Sequence, residues 1–334
     1  MDIKKRKIDI PNKDTMIFIS NSILDLKIPT SMSKSKIYSK VVEAYKSKSD
    51  LRFLIDVLSF DAYKKLENIY NDFLDGLDLV KSFEDNKTDE LFDCLLIILE
   101  EIKYSDNSFD VLYTYNAEVF KKIGTLFDEE GKRLALESYK LERLVKGLLN
   151  TYGIIKKEYF LSFINNFLKK NYTFDELMDK LYSKLVLNTL IERFSINWSN
   201  LNETDEFISK IPYSQSLDGV IESQKQLDFD YNIHDLEYYY DKDKLNYLEE
   251  FNYDVKRLKD LIPKISDEKI NNFFNDVITG MKSPSDILND LLNDSEAKDI
   301  DELIDYLTKL HNNLEAYPLC GHSPNSLKEE KLVN

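Results

Sequence analysis

Most of the chain alternates apolar and polar residues with the period of an amphipathic α-helix. From Ser35 onward, apolar side chains recur at spacings of three and four residues, as in Leu66–Leu77 and Leu141–Leu149. That spacing places them on one face of a helix, which can pack against a core. With only 8 Gly and 7 Pro in 334 residues, few positions favour tight turns. The sequence therefore predicts a mainly α-helical protein.

Two stretches replace the helical period with short β-prone runs around a polar turn. The first joins Ile102–Tyr104 to Val111–Tyr113, and the second joins Phe194–Trp198 to Phe207–Ile211. Each pair predicts a β-hairpin. Both hairpins follow a run of helices, and this order predicts tandem winged-helix-like modules with the hairpins as wings.

Capping residues mark helix starts in the second half of the chain. Thr173 and Glu176 have the spacing of a capping box, and Ser283-Pro284 offers an N-cap followed by proline at the first helical position. The last long helix is predicted over Asp299–Ala316. Its apolar face is predicted to carry Ile300, Leu303, Ile304, Leu307, Leu310 and Leu314.

The first hundred residues contain two less regular patterns. Lys4–Lys7 is a basic cluster, and the apolar run Met16–Ile19 can add a short strand or attach the N-terminus to a domain. Thr88 is predicted to cap a helix that carries the apolar run Leu91–Leu99.

These patterns divide the chain into four segments. They are a basic N-terminal arm (1–33), a helical winged-helix-like module (34–120), a second winged-helix-like module (121–216) and an acidic C-terminal helical domain with a distinctive tail (217–334).

The net charge of −16 is distributed unevenly. Residues 1–50 hold 11 basic against 6 acidic residues, and 121–193 hold 14 against 10, whereas 201–250 hold 4 against 13. An acidic protein repels nucleic acid at long range, so any nucleic-acid contact has to be local. The charge therefore favours a protein partner. The acidic charge also allows another function, that of an inhibitor or decoy that presents the carboxylates of 217–250 to a basic partner.

The sequence shows few motifs that indicate catalysis. No stretch places two glycines within six residues, which excludes a glycine-rich phosphate loop. A Ser/His or Cys/His pair would have to use one of only three imidazoles, those of His234, His311 and His322. We therefore expect a non-enzymatic interaction protein, of adaptor or regulatory type, without a cofactor.

The weak candidates for a metal site, His311, Cys320 and His322, lie near one another in the sequence. A zinc site needs about four nitrogen or sulfur ligands. The other cysteine, Cys94, lies in a separate apolar run. The ligand count therefore argues against bound zinc.

The alternative of a winged-helix nucleic-acid-binding regulator depends on the second module. Its third helix would enter a groove while flanking cations contact phosphates. The candidate residues are Lys156, Lys157, Lys169, Lys170, Lys180, Tyr182, Lys184 and Arg193.

Two cysteines cannot build a disulfide framework, and the N-terminus has no apolar stretch of signal-peptide length. The longest apolar run, Cys94–Leu99, is far too short to span a bilayer. We expect a cytoplasmic protein with no membrane partner.

Three passages of the chain resemble a loosely defined set of uncharacterised proteins from low-GC Gram-positive bacteria and their mobile elements. They are Leu148–Gly153 with the helix after it, Ser283–Leu288 and Leu310–Leu327. That set has tandem helical and winged-helix-like modules and a Gly-His-Ser/Thr-Pro-Asn-x-Leu tail, here Gly321–Leu327. Some members are labelled as having a SEC-C-type zinc-binding end, whose multiple cysteines this chain lacks. The resemblance implies the fold and no established activity.

Overall fold

Helices account for most of the residues in the computed structural model. It describes residues 3–76, 89–104, 109–198, 203–210, 215–227, 230–280, 282–292 and 297–333. The predicted mainly α-helical fold with short β-hairpins is confirmed.

The helices are described in chain order. The first nine are α1 (Lys13–Phe18), α2 (Lys34–Ser47), α3 (Leu54–Val57), α4 (Phe60–Leu74), α5 (Asp89–Asp93), α6 (Ala117–Ile123), α7 (Glu129–Tyr152), α8 (Lys157–Leu168) and α9 (Phe174–Ser183). Those that follow are α10 (Leu185–Asn188), α11 (Gln215–Gln226), α12 (Leu236–Asp241), α13 (Tyr247–Glu250), α14 (Asn252–Leu261), α15 (Asp267–Thr279), α16 (Pro284–Leu292), α17 (Ile300–Asn313) and α18 (Pro324–Val333).

Among the described residues, six strands form two small antiparallel sheets. They are β1 (Ile3–Asp9), β2 (Ile98–Tyr104), β3 (Phe109–Thr114), β4 (Ile154–Lys156), β5 (Glu192–Trp198) and β6 (Glu203–Ser209). The first sheet has the order β1-β2-β3, with Ile8 opposite Glu100. The second has the order β4-β6-β5, with Ile155 opposite Ile208. Each predicted hairpin therefore gains a third strand from an earlier part of the chain.

The chain forms two compact units. Unit 1 comprises Met1–Glu142 and Thr173–Leu190, and unit 2 comprises Arg143–Tyr172 and Ile191–Asn334. These boundaries differ from the four predicted segments. In particular, the predicted second module at 121–216 is divided, since α9 belongs to unit 1 and the sheet β4-β6-β5 belongs to unit 2.

The predicted N-terminal arm is an integral part of unit 1. Residues 3–9 form strand β1 of its sheet. Met16 and Ile19 are fully buried in the same core as Ile37 and Val41. Burial of these apolar side chains fixes the segment, so residues 1–33 are not a separate arm.

The predicted helix over Leu91–Leu99 is much shorter in the structure, and its predicted cap, Thr88, lies outside the described residues. Helix α5 ends at Asp93, and Leu95 adopts the left-handed conformation with φ 57°. A left-handed residue breaks the helical hydrogen-bond ladder. The apolar residues that follow then enter strand β2 instead.

The core of unit 2 is formed mainly by helices α11 to α17. Leu217, Val220 and Ile221 of α11 are buried together with Phe274 of α15 and Leu303 of α17. Much of the acidic stretch 217–250 is helical, through α11, α12 and α13.

Within the part of the chain that the structure describes, no helix has both the length and the apolar character to cross a membrane.

Candidate functional site

The C-terminal tail, residues 314–327, is built into unit 2. Tyr317 and Cys320 are buried. The Gln224 side-chain amide donates to the Tyr317 carbonyl at 2.6 Å, and the Asn232 backbone N–H donates to the Cys320 carbonyl at 3.0 Å. These contacts give the tail a structural role in the unit's core.

The weak metal candidates do not form a ligand set. Cys320 is buried, and burial raises the pKa of its thiol to about 12. The Nε2 of His322 donates to the Asp230 carbonyl at 3.0 Å, and His311 is exposed on α17. No group of three or more His, Cys, Asp or Glu side chains among the described residues could hold a metal ion.

Lys184, predicted to belong to the helix that enters a groove of nucleic acid, lies in the interior of unit 1 and is only 3% exposed. Its Nζ donates to the Leu58 carbonyl at 2.5 Å and lies 3.7 Å from Oε2 of Glu142. The prediction that Lys184 contacts nucleic acid is therefore wrong, because its ammonium is used inside the protein. Lys180, one turn earlier, is half-exposed and pairs with Asp56 at 3.0 Å.

Three predicted cations of unit 2 are paired with the acidic strand β6. Lys156 Nζ lies 3.5 Å from Asp205, and both Lys157 and Arg193 contact the Glu206 carboxylate. Hydrogen bonds from Lys157 and Arg193 lower the pKa of Glu206. The carboxylates of Asp205 and Glu206 thus neutralise three of the cations that were predicted to bind nucleic acid.

The other three nucleic-acid candidates remain predictions. Lys169 is exposed just after α8, while Lys170 and Tyr182 are half-buried. Lys169 and Lys170 belong to unit 2 and Tyr182 to unit 1. Two adjacent lysines make a small basic footprint compared with that of most nucleic-acid-binding domains.

Unit 2 also has an apolar groove of about 360 Å³, lined by residues of α15, α16 and α17. Its lining includes Phe273, Val277, Leu288, Ile304, Leu307 and His311. Ile304 is 43% exposed. Leu288 and Leu307 are half-buried, and Phe273 and Val277 are buried. A concave apolar surface is typical of an interaction site.

The groove exists because α17 carries more apolar residues than the core covers. The Asp299 side chain caps this helix by accepting from the Glu302 N–H at 3.0 Å. Leu303 and Leu310, seven residues apart, are buried. Ile304 and Leu307 occupy the adjoining stripe and face the groove.

Helix α16 supplies the facing wall in the same way. The Ser283 hydroxyl accepts from the Asp286 N–H at 3.2 Å, which fixes the start of the helix before Pro284. Ile287 and Leu291 are buried, and Leu288 lines the groove. Two short, well-capped helices thus hold the apolar walls in place.

The surroundings of the groove are acidic. Residues 282–313 include eight acidic and three basic residues. Asp301 and Asp305 are exposed on α17 within one turn of Ile304, and Asp286 is exposed on α16 within one turn of Leu288. An apolar groove flanked by carboxylates is complementary to an apolar surface with basic flanks.

The sequence predicted the apolar face of α17, whose residues run from Ile300 to Leu314. The helical spacing alone did not show that Ile304 and Leu307 line a groove.

In comparisons with known proteins, no family model, no curated protein and no solved structure matches this chain.

Proposed function

We propose that this protein is a non-enzymatic interaction protein whose groove between α16 and α17 binds a basic amphipathic helix of a partner protein. The observation that carries the proposal is the apolar lining of the groove in an acidic part of unit 2, where Ile304 is exposed and Leu288 and Leu307 are half-buried. Helices that dock in grooves insert apolar side chains at spacings of three, four and seven residues. Basic residues on the flanks of such a helix would lie near Asp286, Asp301 and Asp305.

Two other functions have weaker support. The nucleic-acid alternative is weakened because Lys184 is buried in unit 1. In addition, Lys156, Lys157 and Arg193 already pair with carboxylates. The decoy alternative requires free carboxylates in 217–250. Within that segment, however, Glu250 pairs with Lys242.

Generic double-stranded DNA is expected to bind weakly. An electrophoretic mobility-shift assay at about 50 mM salt should show no complete shift with protein at up to about 10 µM. The reason is that three of the predicted cations are already neutralised by neighbouring carboxylates. A complete shift that charge reversal of Lys169 and Lys170 abolishes would favour the nucleic-acid alternative instead.

The groove is tested with a synthetic amphipathic peptide of about 18 residues, five helical turns, with leucine on one face and lysine on the other. Fluorescence anisotropy should show that this peptide binds the full-length protein more tightly than its twin with glutamate in place of lysine. Ile304→Gln should weaken binding about 5- to 10-fold, because it removes roughly 1 kcal/mol of apolar burial.

The matched control is Ile233→Gln, which changes an exposed isoleucine of unit 2 outside the groove. Its affinity for the lysine peptide should equal that of the wild type. Equal loss in both variants, or equal binding of the two peptides, would overturn the proposal. So would a homodimer in sedimentation that Ile304→Gln dissociates, since the occupant would then be a second copy of the chain.

A further inference from the structure

Strand β1 lies at one edge of the first sheet, whose order is β1-β2-β3. Its antiparallel pairing with β2 runs from Ile3 opposite Tyr104 to Asp9 opposite Leu99. On its other side, no strand among the described residues pairs with it. An edge strand presents a row of N–H and C=O groups that can pair with another chain. Strand β1 therefore offers main-chain hydrogen bonds to an added strand.

The charge of β1 disfavours a second copy of this chain as the added strand. Its sequence contains a run of four basic residues, Lys4–Lys7. If the β1 strands of two copies paired antiparallel about this run, the basic residues of one copy would lie opposite those of the other. Like charges at directly opposite positions destabilise a sheet, and lysines in edge strands prevent self-association in this way. The occupant of this edge therefore has to differ in charge from β1.

The strand that already pairs with β1 indicates which charge fits. In the register of the sheet, Lys7 lies opposite Glu101, and Ile8 lies opposite Glu100. Opposite charges at facing positions of neighbouring strands stabilise a sheet. Strand β2 thus places acidic residues beside the end of the basic run, and an acidic segment on the outer side would repeat this arrangement along the whole run.

An acidic protein segment fits this edge better than nucleic acid, the other polyanion that a basic run attracts. A protein segment pairs with the backbone of β1 as well as with its charge, whereas nucleic acid has no peptide backbone to add to a sheet. In addition, the Ile8 side chain is 61% exposed directly after the basic run. An apolar side chain of the added strand would cover it.

We infer that the outer edge of β1 binds an extended acidic segment of a partner protein by β-strand addition. Main-chain hydrogen bonds join the segment to β1, its carboxylates occupy register positions opposite Lys4–Lys7, and an apolar residue follows opposite Ile8. This surface belongs to unit 1 and does not depend on the proposed function of the groove in unit 2.

The test uses the full-length protein and a synthetic peptide of about nine residues, slightly longer than β1, because paired strands match residue by residue. The peptide has four consecutive glutamates, one for each residue of Lys4–Lys7, between valine and threonine residues. Hydrogen-exchange mass spectrometry at about 50 mM salt should show slower exchange in the fragment that contains β1 when this peptide is added. A twin with lysines in place of the glutamates should leave that exchange unchanged.

A second twin separates main-chain pairing from charge attraction alone. It keeps the glutamates but carries N-methyl groups on two adjacent central residues, whose N–H groups point to opposite edges of a strand, and it should not protect β1. Equal protection by this twin would overturn the inference. Stronger protection by a single-stranded DNA of about ten nucleotides would also overturn it, as would a homodimer that protects β1 without any peptide.

The double variant Lys5→Glu/Lys7→Glu should weaken binding of the glutamate peptide about tenfold in fluorescence anisotropy, because it replaces attraction with repulsion. The matched control is Lys36→Glu/Lys40→Glu, which changes the net charge equally at exposed positions of α2 in the same unit. Its affinity should stay close to that of the wild type. Unchanged exchange around the buried Ile37 shows that each variant keeps unit 1 folded. Equal losses in the two variants, or no loss in either, would contradict the inference.

Discussion

Replacing Lys184 with methionine is expected to lower the free energy of unfolding of unit 1 by about 3–5 kcal/mol. The lysine ammonium is buried beside the buried carboxylate of Glu142. Methionine keeps most of the apolar volume but removes the charge. The Glu142 carboxylate then stays in the interior without its positive neighbour, and the Leu58 carbonyl loses its 2.5 Å hydrogen bond.

Lys180→Met provides the matched control, because Lys180 lies in the same unit and pairs with Asp56 at the surface. Exposed ion pairs contribute about 0–1 kcal/mol. Hydrogen-exchange mass spectrometry on peptides of unit 1 separates the two variants without requiring both units to unfold together. Equal protection in Lys184→Met and the wild type would show that the buried pair does not stabilise unit 1.

Gly153→Ala is expected to destabilise unit 2 by about 2–5 kcal/mol, the sum of backbone strain and overpacking. Gly153 has φ 67°, a conformation that a residue with a Cβ adopts at a cost. A methyl group there would also overlap the ring of Tyr317, which is buried in the core of unit 2. Neither the backbone nor the ring can move without disturbing the tail.

Gly219→Ala tests whether the effect comes from this environment. Gly219 is exposed within helix α11, and a Cβ there meets no described atom within 4 Å. Alanine in a helix interior is about 0.5–1 kcal/mol more favourable than glycine. Hydrogen exchange in peptides of unit 2 should therefore slow slightly in Gly219→Ala and accelerate strongly in Gly153→Ala. Similar exchange in the two variants would contradict the packing role of the tail.

Local sequence patterns predicted the helices and hairpins because their determinants lie within a few residues. Thr173 and Glu176 form the predicted capping box, and α16 begins at Pro284. Both predicted hairpins are present. In these segments the apolar spacing and the capping residue are sufficient to specify the element.

The predictions that differ from the structure depend on contacts between distant residues. Strand β1 pairs with β2 across roughly ninety residues of sequence, and Lys184 donates to a carbonyl more than a hundred residues away. Likewise, the sequence made Cys320 and His322 weak candidates for metal ligands, yet both side chains are packed among residues of unit 2. The period of a helix shows which residues share a face but not which face is covered, so the groove beside Ile304 could not be distinguished from core.

The proposed occupant of the groove between α16 and α17 is a helix of a partner protein. The most direct measurement is site-specific photo-crosslinking in the native host, with a photoreactive amino acid at Thr308 in the groove or at Ile233 outside it. We expect Thr308 to give a discrete adduct whose crosslinked segment is a basic amphipathic helix, and Ile304→Gln to reduce the yield of that adduct several-fold. No adduct at Thr308, or the same adduct from Ile233, would contradict the claim.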